Sequence, residues 1–309
     1  MVPRSPPNNP KPDLSPPSLI HFSDLHLWKY GLDGDLFFKR FLGLANLRLR
    51  RARRFPVEVA REVAERIAGE EADFVCFSGD LTTTALRAEF EAGRELFAPL
   101  IGRWGERFVS IPGNHDRYTP RAVRGRLYET LFDDRFEAYP FSVDLGSRWT
   151  LVGLDCALPR WLTARGHVGG DSLDRLRELL DHLWGRDRRV VVMGHYPLLY
   201  PPWIKTHWSH ELTERLQLLD VLVGGGASVY LHGHKHVRWR LKYKDLSLIN
   251  AGSAGMVGTG PDRLPGYVRL TLGDDGPEQV VSRFLARPGE GSPQQWVTGE
   301  LTEQRVGLH

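Results

Sequence analysis

Residues 107–116 read RFVSIPGNHD. An apolar run of strand composition ends at Ile111, Pro112 and Gly113 break it, and Asn114, His115 and Asp116 follow at once. Polar side chains placed directly after a buried strand sit where open α/β sheets bind their ligands. Working outward, the same device recurs four times. SLIHFS (18–23) runs into Asp24-Leu25-His26, and DFVCFS (73–78) into Gly79-Asp80. RRVVVM (188–193) runs into Gly194-His195, and ASVYL (227–231) into His232-Gly233-His234.

Between these runs the apolar spacing is helical. Behind Pro56, residues Val59, Ala60, Val63, Ala64, Ile67 and Ala68 recur at helix period, so 56–69 reads as a helix, and 86–101, 172–184 and 211–223 follow. WTLVGLDC (149–156) adds a further strand. After His234 the helices stop, and RWRLKY, LSLINAG, YVRLTL and QVVSRFL are strand-like runs between Gly, Pro and Asp clusters. Strands alternating with helices, then strands alone, predict a mixed α/β layered fold. Residues 1–17 are proline-rich and read as a disordered tail, 18–287 as one domain, and 288–309 as a loose Gly/Pro/Gln tail.

The composition sets outer limits. With 309 residues, 41% hydrophobic and 26% charged, the chain can bury a sizeable core, which excludes wholesale disorder and a collagen-like fibre. No run of about 18 apolar residues is present to span a bilayer as a helix. The N-terminal stretch lacks the apolar core of a secretory signal. Cys76 and Cys156 lie in apolar runs and read as small buried hydrophobes of a reducing compartment, so the expected location is cytoplasmic. The net charge of +3 conceals an uneven distribution. Seven cations (Lys39, Arg40, Arg48, Arg50, Arg51, Arg53 and Arg54) fall within 36–55 without one acid, while the other 34 basic residues face 38 acidic ones.

The five loops supply carboxylate, imidazole and amide donors and no thiolate. That inventory suits two borderline-hard ions such as Mn, Fe, Co or Zn. Glycines 79, 113, 194 and 233 let the backbone bend and approach a substrate. Two such ions about 3.5–4 Å apart can clamp both oxygens of an in-line displacement at phosphorus. Taken singly, an Asp-x-His is commonly a loop cap, Gly-Asp a turn and HGHKH a generic His-rich tract. The other histidines carry no motif: His21 reads as a core residue, and His167, His182, His207, His210 and His236 as structural or exposed.

Taken in order, DLH, GDLT, GNHD, GHYP and HGHKH resemble the calcineurin-like metallophosphoesterase superfamily, over roughly residues 18–255. The resemblance implies a four-layer α/β/β/α sandwich of two mixed sheets flanked by helices, with a dinuclear metal centre at the strand ends. Asp24, His26 and His234 would then hold one ion, and Asn114, His195 and His232 the other, with Asp80 bridging. His115 would stand beside the scissile phosphate as acid or transition-state stabiliser, oriented by Asp116. A hydroxide generated at neutral pH would attack phosphorus in line without a covalent enzyme intermediate. GDLTTT lacks the Asp-Arg-Gly continuation of the protein Ser/Thr phosphatases, and Thr83 stands where purple acid phosphatases use tyrosine. The motifs are more similar to the bacterial phosphodiesterase branch, whose substrates include cyclic nucleotides, glycerophosphodiesters and the pyrophosphate of UDP-diacylglucosamine.

Two further stretches bear on the substrate. Segment 36–55 is amphipathic on a helical wheel, which fits a peripheral helix on an anionic inner membrane face, packing on the body, or a cationic approach for an anionic substrate. A nuclease reading rests on the arginines alone and lacks a nucleic-acid motif. The loop 198–210 carries Tyr200, Trp203, Ile204 and Trp208 and reads either as a hydrophobic lip or as core cover. Arg117, Arg50, Arg51, Arg54 and Trp203 are the candidate substrate contacts. The chemistry expected is hydrolysis of a phosphodiester or pyrophosphate, lipid-linked or cyclic; the alternative of another class is a non-catalytic interaction scaffold.

Overall fold

The computed structural model describes residues 15–28, 54–136, 138–157, 163–286 and 293–307. The N-terminal tail to residue 14 and most of the basic segment, Arg50 and Arg51 included, lie outside the described residues. The first sheet is built around β1 (Ser18–Phe22), β2 (Phe74–Phe77) and β3 (Phe108–Ser110), which run parallel with Leu19 opposite Phe74 and Val75 opposite Phe108. β10 (Gly266–Leu272) adds antiparallel to β1, and β11 (Pro277–Ala286) and β12 (Gln295–Glu300) extend that edge, giving the order β12-β11-β10-β1-β2-β3.

The second sheet contains β4 (Phe141–Leu145), β5 (Trp149–Gly153), β6 (Arg189–Met193), β7 (Val229–His232), β8 (Arg238–Tyr243), β9 (Leu246–Ala251) and β13 (Glu303–Arg305). Its order is β13-β8-β9-β7-β6-β5-β4, with β5, β6, β7 and β9 parallel.

Period-two alternation sorts the side chains into layers. In the first sheet Ile20, Phe22, Val75 and Phe77 face α1 (Val57–Ala68) and α2 (Arg87–Trp104), while Leu19, Cys76 and Val109 face the second sheet. There they meet Leu151, Val191, Met193, Val229 and Leu231. The opposite faces of β6 and β7, through Val190, Val192 and Tyr230, pack on α5 (Gly170–Trp184) and α6 (Arg215–Gly224). The result is four layers, helices outside and two mixed sheets within. Helix α1 buries Val59, Ala60, Val63, Ala64 and Ile67, the face its spacing predicted. Each fully buried aliphatic or Phe side chain contributes about 1.5–3 kcal/mol, so layer packing outweighs local propensity. At the start of α2, Glu89 turns back to accept from the backbone N–H of Leu86 at 3.2 Å and of Thr84 at 2.9 Å.

Some boundaries differ from expectation. Two short helices, α3 (Pro120–Arg124) and α4 (Leu127–Leu131), follow the GNHD loop unpredicted. The helix expected over 211–223 begins only at Arg215, because Leu212 bridges to Gly166. The C-terminal stretch expected to be loose carries β12 and β13 instead. Its composition is polar, yet both strands find open sheet edges on which their backbone groups pair. Among the described residues no helix is long and apolar enough to cross a membrane.

Candidate metal centre

Because β1, β2 and β3 are mutually parallel, as are β6 and β7, their C-terminal loops leave the two sheets at one end of the sandwich. Asp24, Asp80, Asn114, His195 and His234 therefore converge. The approach is close enough to need glycine. A Cβ on Gly79 (φ +96°) would stand 2.4 Å from the Gly113 nitrogen, and one on Gly113 would stand 2.2 Å from Asp80 Oδ1. Asp116 ties the same two loops together. Its Oδ2 accepts from the backbone N–H of Gly113 and Asp80, each at 2.9 Å, and its Oδ1 accepts from Thr82 N at 2.9 Å.

Backbone conformation singles out the same place. Five of the nine non-glycine residues with positive φ among those described are Asp24 (58°), His26 (53°), Asp80 (62°), His234 (72°) and His236 (55°). Left-handed backbone is unfavourable for L residues and persists where surrounding structure over-determines it, commonly at functional sites.

The donor atoms form two groups joined at Asp80. In one, His236 Nε2 lies 3.1 Å from Asp24 Oδ1 and 2.9 Å from His26 Nε2, and His26 Nε2 lies 3.7 Å from Asp80 Oδ2. In the other, His195 Nε2 lies 3.3 Å from Asp80 Oδ2 and 3.2 Å from Asn114 Oδ1, and His234 Nδ1 lies 2.9 Å from Asn114 Oδ1. Backbone carbonyls set the tautomers. His195 Nδ1–H donates to the Ser78 carbonyl at 2.8 Å, and His234 Nε2–H donates to the His210 carbonyl at 2.9 Å. In the neutral form, each ring then turns an unprotonated nitrogen toward carboxylate and amide oxygens. Lone pairs crowded onto lone pairs call for a cation between them. Separations of 2.9–3.7 Å are also about what bonds of roughly 2.0–2.2 Å to a shared ion require. The donor set fits two ions.

Electrostatics agree. Burial lowers the His195 imidazole, but the charges of Asp80 and Asp24 outweigh it and carry the ring up to about 9. Burial raises Asp80, yet His195, His115 and His26 hold it well below the usual carboxylate range. Burial instead lowers His26 and His234, which keeps those two rings neutral with a lone pair free, while the carboxylates favour positive charge at His195. Asp24 Oδ1 and His26 Nδ1 are buried with no hydrogen-bond partner among the described residues.

His115 borders this centre with its ring 4.7 Å from that of His26 and stacked on Tyr118 at 5.7 Å, 13° from parallel. Its backbone N–H donates to Asp80 Oδ1 at 2.7 Å. The family resemblance implies orientation by Asp116, and here the structure differs. His115 Nδ1–H donates to the Thr83 carbonyl at 2.7 Å, while Asp116 spends both oxygens on the loop backbone.

A second correction concerns HGHKH. His232 is the last residue of β7, and strand alternation puts it on the side of Tyr230, whose ring it stacks against at 5.4 Å. Its Nδ1 receives Asn250 Nδ2–H at 3.0 Å behind the centre. The chain then turns at Gly233, and left-handed His234 and His236 both reach the cluster, so His236 occupies the place expected of His234 and His234 that of His232. The missed signal was in the pattern: a residue still in register with Leu231 cannot face the same way as one beyond the glycine.

The predicted substrate contacts fare differently. Arg117 is buried and spent internally, donating through Nε to Asp155 at 3.1 Å and through Nη1 to Glu129 at 3.0 Å. It is therefore not a substrate contact, because both carboxylates neutralise it inside the fold. Arg54 is exposed beside Phe55. The Phe55 ring, which no motif flagged, packs 4.7 Å from His26 and 5.6 Å from His236. Trp203 is half exposed and meets Trp239 edge-on at 6.4 Å. Of the aromatic loop, the His210 carbonyl is the part that touches the centre.

Comparison with known proteins places these features. A family model described as calcineurin-like phosphoesterase matches residues 17–238. No curated protein sequence matches the chain. Among solved structures, a dimetal phosphatase from Danio rerio aligns with TM-score 0.59 at 14% identity, covering 93% of this chain and 100% of that one. A purple acid phosphatase from yellow lupin (Lupinus luteus) gives TM-score 0.59 at 15% identity over 96% of this chain and 55% of that one. PhoD gives 0.58 at 11% identity, covering 97% and 76%. At these identities the likeness concerns the fold.

Proposed function

Because the chain belongs to the calcineurin-like phosphoesterase family, we propose that it hydrolyses phosphodiesters or pyrophosphates at a centre of two metal ions. Asp24, His26 and His236 would hold one ion, Asn114, His195 and His234 the other, with Asp80 shared. The observation that carries this reading is the pair of donor groups meeting at Asp80, each held in a metal-ready tautomer by a backbone carbonyl or left without another partner. When bound, the ions would supply a water of lowered pKa and charge to offset that developing on phosphorus. The chain's own contribution is positional. Ser78 and His210 hold the ligating rings, Asp116 locks the loops of Asp80 and Asn114, and His115, with Nδ1–H on Thr83, keeps Nε2 as the atom that exchanges a proton with the leaving oxygen.

An anionic substrate is supported by the chain that flanks the site. Trp28 Nε1–H donates to the Phe55 carbonyl at 3.1 Å, and Phe55 packs on His26, so the described residues Trp28 and Phe55, between which the seven cations fall in sequence, lie beside the centre. Docking of that stretch on an anionic membrane surface is a second proposal, tested by flotation with anionic liposomes. Wild type that never floats would end it.

The test of the main reading is hydrolysis of bis(p-nitrophenyl) phosphate beside p-nitrophenyl phosphate, with Mn, Fe, Co or Zn supplied. Wild type is expected to turn over the diester well above His115→Ala and Asp80→Asn. Turnover no greater than that of the variants with any of these metals would sink it.

A further inference from the structure

Lys235 stands between the two histidines of the turn after β7. Among the described residues no acid comes within 4 Å of it. The acid whose charge reaches it, Glu211, is paired with Arg215 at 3.4 Å. The side chain is half-buried and its Nζ lies over the Tyr200 ring, 5.4 Å from the centroid. A partly desolvated cation held on an aromatic face favours an anion as its remaining partner.

Its neighbours place that anion. The His210 carbonyl receives His234 Nε2–H, and the exposed His210 ring lies 6.4 Å from the His234 ring. The loop that follows His195 thus supplies the His210 imidazole and the Tyr200 face under Lys235, so an imidazole and an ammonium flank His234 at the outer edge of the donor group formed by Asn114, His195 and His234. We propose that Lys235, together with the His210 imidazole on the other side of His234, binds a second phosphate of the substrate while the first sits at the centre. The preferred substrates are then pyrophosphates. This rests on the phosphoesterase reading and narrows it. A simple phosphomonoester would leave Lys235 unused.

The test is calorimetric titration of ADP, as its uncleavable α,β-methylene analogue, and of AMP into the Mn-loaded protein, for wild type, Lys235→Met and Lys235→Arg. Wild type is expected to bind ADP about tenfold more tightly than AMP, the scale of one charge-assisted contact. Lys235→Met reduces that preference to less than about twofold, and Lys235→Arg restores it. A wild type without preference, or a Met variant that keeps it, overturns the proposal. Metal content is measured on the same samples. An ion lost in Lys235→Met would assign the residue to holding the His234 turn and overturn the proposal as well. Turnover of bis(p-nitrophenyl) phosphate by wild type decides the parent reading separately: its absence removes the hydrolase, while the ADP preference still decides the subsite.

Discussion

The Nε2 atoms of His26 and His236 lie 2.9 Å apart, although 210 positions separate the two residues in the chain. The contact is made between loops of different sheets, each ring presented by a left-handed backbone. It closes the donor group around Asp24, with His236 in the place where the motif resemblance puts His234.

His236→Ala is expected to lose one of two metal ions per chain, whereas His232→Ala keeps both and is destabilised by about 2–4 kcal/mol through the cavity behind β7. Metal analysis of the dialysed proteins with a urea unfolding curve for each decides between the registers. Two ions in His236→Ala would refute the assignment.

Removing metal should destabilise the fold, because lone pairs of Asp24, His26, Asp80, His195 and His234 would again face one another across a buried pocket. At free metal about 100-fold above its dissociation constant, loading contributes about 2.7 kcal/mol per site. Thermal unfolding with and without a chelator measures it, and identical transitions would contradict two bound ions.

Arg117→Met should be least stable relative to wild type at neutral pH. In the native protein burial raises Glu129, but the Arg117 guanidinium holds it below its usual 4.5, so its contribution is present above that value and is lost as pH falls through the lower native one. Burial raises Asp155 even with Arg117 present. Without the guanidinium both carboxyls shift upward, and the variant loses stability as pH rises from about 4 to 7. The expected deficit is about 3–5 kcal/mol at pH 7, shrinking toward pH 4.5. Urea denaturation at the two pH values checks it; a pH-independent deficit would point to lost packing instead.

His115→Ala should lower kcat by about 10²–10⁴-fold for a substrate with an alkyl leaving group and by clearly less for p-nitrophenyl esters, which need little protonation. Parallel kinetics on methyl p-nitrophenyl phosphate and a dialkyl phosphodiester provide the comparison. Equal losses on both would remove the proton-transfer role and leave charge stabilisation.

What the sequence determined by itself was the set of strand-end loops and the layer each apolar side chain joins. These follow from local rules: period-two runs, helical spacing behind Pro56, and glycines at 79 and 113 where two backbones meet. Asp24, His26, Asp80, Asn114, His195 and His234 were legible for the same reason, since each lies directly beyond a strand. Tertiary structure alone decided the rest. His232 and His236 have the same local chemistry, and only the turn at Gly233 assigns one to Asn250 and the other to Asp24. Arg117 looked available until Glu129 and Asp155, 12 and 38 positions away, enclosed it. The net charge of +3 carried no such information: a charge acquires its role from the groups that burial brings to it, and burial is a property of the packed layers.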